Sequence, residues 1–64
     1  MSYKITDRRL CIDNGIVELE KAKSLAEEYC READVDLVTI VDESTGETVA
    51  TGHATLVMEW KDEQ

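Results

Sequence analysis

Two β-favouring arms joined by a short turn dominate this chain. The first arm is Val35-Asp36-Leu37-Val38-Thr39-Ile40-Val41, the turn is Asp42–Glu47, and the second arm runs from Thr48 to Trp60. Both arms are rich in Val, Ile, Leu and Thr, side chains that suit a pleated, half-buried surface. Ser44 and Thr45 favour turn conformations, and Gly46 supplies the positive φ that a type I turn with a bulge needs. The predicted core of the fold is therefore one long hairpin, Val35–Trp60.

Alternation assigns the faces, because strand side chains repeat with period 2. In the second arm Ala50, Gly52, Ala54, Leu56, Met58 and Trp60 share one face, and Thr51, His53, Thr55 and Val57 the other. The first of these is graded from small to large, which reads as a surface under a helix that lies close at one end and diverges at the other. In the first arm Val35, Leu37, Thr39 and Val41 oppose Asp36, Val38, Ile40 and Asp42. Neither side is clearly polar, the pattern of a strand covered on both faces.

Upstream, Tyr3–Ile12 reads as a strand with a phase slip, Tyr3 and Ile5 in one phase and Leu10 and Ile12 in the other. A bulge near Asp7-Arg8 reconciles them. Lys4, Arg8 and Arg9 on such an edge strand hinder edge-to-edge aggregation. Asp13-Asn14-Gly15 has two readings, a helix cap or a hairpin turn that adds a short strand over residues 16–19. The cap reading is preferred. From Ile16 to Ala33 the period is helical: Leu19, Ala22, Ala26, Tyr29, Cys30 and Ala33 form a stripe with Ile16 and Leu25 at its margins. Its alanines match the small residues of the last strand.

The expectation is one α+β domain over residues 1–64, in β-α-β-β order. It is a two-layer sandwich with one helix on a mainly antiparallel sheet of three strands, or four if Asn14-Gly15 turns. The last strand, being longest, is placed in the middle. Residues 61–64 are expected to fray as an acidic tail.

Sixty-four residues bury only about 60% of their unfolded surface, so a partner subunit is a common source of added stability. The chain carries a net charge of −8; residues 34–64 hold eight acids against the single base Lys61. That excess argues against direct nucleic-acid binding, which needs Lys and Arg to displace phosphate counterions. Two cysteines and one histidine are too few for a closed zinc site, and no metal or cofactor is expected. Cys11 and Cys30 lack framework spacing and no leader is evident, so reduced thiols in a cytoplasm are expected. No apolar run reaches the ~20 residues of a membrane span. No nucleophile–base pair, phosphate loop or calcium loop is present, and no catalytic residue is assigned: Cys30 lies near a helix C-terminus, where the dipole disfavours a thiolate.

The segment LAEEYCREADVDLVTIVDESTGETVA, Leu25–Ala50, resembles small bacterial and phage domains, and the resemblance carries no functional residues across. What remains is surface. One helix covers one face of the sheet, leaving an apolar face of Val35, Leu37, Val41, Val49, His53 and Val57 to be buried by a second copy or another protein. The first expectation is a non-enzymatic interaction module that forms a homodimer through this face. The alternative is an inhibitor of the phage type, whose acids Asp36, Asp42, Glu43 and Glu47 mimic nucleic acid on a host defence or transcription protein. A third reading places a small ligand between subunits beside His53 and Trp60.

Overall fold

In a computed structural model, which describes residues 1–8 and 10–63, one helix packs on one five-stranded antiparallel sheet. The elements are β1 (Tyr3–Asp7), β2 (Leu10–Ile16), α1 (Leu19–Ala33), β3 (Leu37–Asp42), β4 (Thr48–Ala54) and β5 (Met58–Asp62). The sheet order is β2-β1-β3-β4-β5. The α+β class matches the sequence reading; the strand count and order differ from it in three places, each with a local cause.

The second arm is two strands. After Ala54 the chain turns through Thr55, Leu56 and Val57, with the Thr55 N–H and hydroxyl both donating to the Val57 carbonyl, at 3.1 and 3.0 Å. Ala54 then pairs with Met58 and Gly52 with Trp60. Each partner pair adds to an even number, so Ala50, Gly52, Ala54, Met58 and Trp60 still share one side of the sheet, whereas Leu56 stands exposed in the turn. The gradation is cross-strand complementarity: Met58 and Trp60 occupy the room that Gly52 leaves. With this arm folded in two, β3 takes the centre, and the expected middle position of the last strand is overturned.

The first segment also reverses. Asp7 pairs with Leu10, with Arg8 at φ 58° between the strands, so the phase slip reflects a hairpin and not a bulge at Asp7-Arg8. Arg9 lies outside the described residues. Asn14-Gly15 is neither cap nor turn. It falls inside β2, which carries two register shifts against β1, and Gly15 takes φ 68° there. The helix consequently begins at Leu19, three residues later than expected, from an extended Glu18 that gives no side-chain cap. It ends at Asp34 in the left-handed region, φ 56°, whose N–H closes on the Cys30 carbonyl. Finally, the chain does not fray after Trp60. Lys61 and Asp62 complete β5, and the Glu63 N–H donates to the Val49 carbonyl at 3.0 Å. Gln64 lies outside the described residues.

The core lies between helix and sheet. Ala22, Ala26 and Cys30 press on Ile5, Val38, Ile40 and Ala50, and Ile16 and Val49 close its ends. Of the small residues expected beneath the helix only Ala50 is in this core; Gly52 is covered by Met58 and Trp60, and Ala54 is half-buried.

Candidate functional site

The helix covers one face of the sheet and leaves the other bare. Register fixes what the bare face displays. One row crosses all five strands: Cys11, Thr6, Thr39, Thr51, Lys61. The Thr6 and Thr39 hydroxyls hydrogen-bond across the β1–β3 ladder. The next row is Leu37, His53, Glu59, and on the other side lie Lys4, Val41 and Thr48. The β-branched members, Thr6, Thr39, Val41, Thr48 and Thr51, gain from cross-strand contacts and keep little side-chain freedom.

Of the six residues expected on this face, the structure brings three together: Leu37, Val41 and His53. Val49 leaves it, because β4 carries a register shift between Thr48 and Ala50 that turns Val49 into the core. Val35 precedes β3 and packs half-buried against the core under the helix C-terminus. Val57 sits in the β4–β5 turn, exposed beside a fully exposed Leu56. The face thus carries four threonines, with Leu37 and Val41 as its apolar members. Sequence reading overlooked Lys4, Thr6 and Lys61 as members, since each depends on a hairpin it did not resolve.

Charge is distributed unevenly over the molecule. Among strand acids only Glu59 shares the phase of the bare face, with Glu63 reaching the Thr51 hydroxyl at its rim, 3.4 Å away. Lys4 and Lys61 balance them. The surface is therefore close to neutral in a chain of net charge −8.

The four acids of the alternative reading are scattered. Asp36 lies at the end of the sheet where β3 begins, and Asp42, Glu43 and Glu47 lie at the opposite end. Asp42 is buried and serves its own turn: its carboxylate accepts from the Ser44 hydroxyl at 2.6 Å and the Ser44 N–H at 2.9 Å. Those bonds hold its pKa below the usual carboxylate value. Glu43 accepts from the Gly15 N–H at 2.7 Å, tying the turn to β2.

Trp60 lies on the helix side, its indole N–H donating to Glu27 at 3.1 Å. His53 is on the opposite face, so the sheet separates the two and they share no pocket. An open cleft of about 290 Å³ does lie between the helix C-terminus and the β4–β5 turn, lined by Cys30, Val35, Ala54 and Met58 among others. Cys30 is buried there, and burial, with Asp7, Asp36 and Glu27 nearby, pushes its thiol pKa up, away from nucleophilic use. Cys11 stands on β2, three strands from His53 on β4, or roughly 14 Å at the usual strand spacing. Neither cysteine forms a pair with the histidine.

Compared with family models, curated proteins and solved structures, the chain matches none. Among the described residues no helix is long and apolar enough to cross a membrane, and no three His, Cys, Asp or Glu side chains gather around a cation-sized space.

Proposed function

We propose that the protein is a non-enzymatic interaction module that associates with a second copy of itself through the bare sheet face. The neutrality of that face carries the reading. Two molecules of net charge −8 repel, and contact costs least where neither presents excess acid. The β-branched side chains on that face are stiff at χ1, so ordering them on docking loses little conformational entropy.

The inhibitor reading needs a continuous anionic surface. Its four acids divide between two ends, and two of them already serve as hydrogen-bond acceptors within the fold.

Five strands about 4.8 Å apart and about five residues long give a face of roughly 400 Å² in projection, half of the ~800 Å² per partner in a standard interface. The face alone therefore supports weak association. Light scattering across a concentration range tests the reading, with Leu37→Lys and Val41→Lys as variants. Both should lower the assembled mass at a given concentration, and added salt should not dissolve the wild-type assembly. An unchanged mass in both variants would reject this face as the contact.

A further inference from the structure

We propose that β5 is a second self-association surface, on which two copies pair edge to edge in one register centred on Trp60. The sheet has two edges, and they differ. β2 carries two register shifts against β1, irregularities that twist an edge away from a template. β5 pairs with β4 over five residues without a shift, and its outer side is unpaired.

Ladder parity states which groups are free. The Glu63 N–H bonds to the Val49 carbonyl and the Thr55 N–H to the Val57 carbonyl. In an antiparallel ladder hydrogen-bonded pairs alternate with non-bonded pairs. Glu59, Lys61 and Glu63 therefore direct their backbone groups inward to β4. Met58, Trp60 and Asp62 direct theirs outward.

A twofold pairing of β5 with its copy must match these outward residues with one another. Three registers do so for at least two of the three residues. Setting Met58 opposite the copy's Trp60 puts Glu59 against Glu59. Setting Trp60 opposite Asp62 puts Lys61 against Lys61. Setting Trp60 opposite Trp60 puts Met58 against Asp62 and Glu59 against Lys61, twice by symmetry. Of these three, only the last matches opposite charges, at the non-bonded positions where side chains lie closest. Its backbone forms six inter-chain hydrogen bonds, two each at the Trp60 pair and the two Met58–Asp62 pairs. Neither Glu59 nor Lys61 is in an ion pair within the chain among the described residues, so both are available.

The edge is distinct from the bare face. Edge pairing sets two bare faces side by side and doubles the area offered to a facing pair. It stands whether or not the face reading does, and one experiment separates them. Masses are measured in the Leu37→Lys background, where face contact is removed. A dimer is expected there. Adding Glu59→Lys or Lys61→Glu sets like charges opposite twice, weakening that dimer about tenfold. Combining the two restores it, because the charges have merely exchanged places. Hydrogen exchange on the dimer should show the amides of Met58, Trp60 and Asp62 protected. A monomeric Leu37→Lys protein, a double variant that fails to recover, or free exchange at those three amides would overturn the edge contact. If wild type and Leu37→Lys have the same dimeric mass, the face reading fails and the edge survives.

Discussion

Replacing Gly52 with alanine should destabilise the fold, although the same substitution in an ordinary strand is favourable. Gly52 lies in β4 opposite Trp60. A Cβ at this position would stand 2.7 Å from Met58 Cε and 2.8 Å from Trp60 Cζ3, both too close for carbon. Met58 Cε is the end of a flexible side chain and moves at little cost. Trp60 is held at several points: its indole N–H bonds to Glu27, and Lys23 lies 5.6 Å from its ring centre while also pairing with Asp62 at 3.1 Å. Overpacking costs typically 1–3 kcal/mol. Against this, alanine recovers about 0.5–1 kcal/mol through a less flexible unfolded chain. The net loss is about 1–2 kcal/mol, and for a domain of this size each kcal/mol lowers Tm by about 7 °C. A fall of roughly 10 °C is expected in thermal unfolding by circular dichroism, measured at one fixed protein concentration because association shifts Tm. A Gly52→Ala protein as stable as wild type, with unchanged Trp60 emission, would refute the packing of the indole on this glycine.

Two further outcomes follow from single groups. Titration with a thiol reagent should give one fast equivalent from exposed Cys11 and a second, from buried Cys30, only as the protein unfolds. Asp42 has a folded pKa below its unfolded value because of its bonds from Ser44; the stability it confers is full above the unfolded pKa near 3.9 and declines as pH falls through the folded one. Ser44→Ala should flatten that acid limb in urea midpoints measured from pH 5 down to pH 2, and an identical profile would exclude the contribution.

The α+β class, the helix stripe from Leu19 to Cys30 and the Gly46 turn were legible because each rests on a local signal, although Ala33 of that stripe is exposed and Ile16 belongs to β2. The Thr55–Val57 turn was hidden because Ala54 and Met58 pair across it, which preserves even parity on the helix side. Period-2 counting runs straight through such a turn. Length does expose it: a strand of thirteen residues from Thr48 to Trp60 would span about 43 Å at the usual rise, more than the molecule's longest extent of 31 Å. The first hairpin was masked differently, because a bulge and a reversal produce the same phase slip, and Arg8 adopts its positive φ without a glycine. Asn14-Gly15 misled for a related reason. A bulge and a tight turn both need a residue at positive φ, and Gly15 serves the bulge.

The candidate surface was only half legible, and the same hidden turns account for it. A face belongs to a sheet, so its membership depends on every register at once. Leu37, Val41 and His53 followed from alternation alone, whereas Val49 was lost to a one-residue shift and Lys61 was gained with β5. The unresolved turn also concealed the edge. With the second arm read as a single central strand, Glu59, Trp60 and Lys61 had no edge to occupy and their alternation no meaning. Once β5 is the outermost strand, that alternation matters for assembly. A bare face of roughly 400 Å² falls short of a standard interface, and two faces joined through β5 approach its ~800 Å². Under the proposed edge pairing, a protein too small to bury a second layer from its own chain reaches the required area by extending its sheet, and the charges of β5 favour one register for doing so.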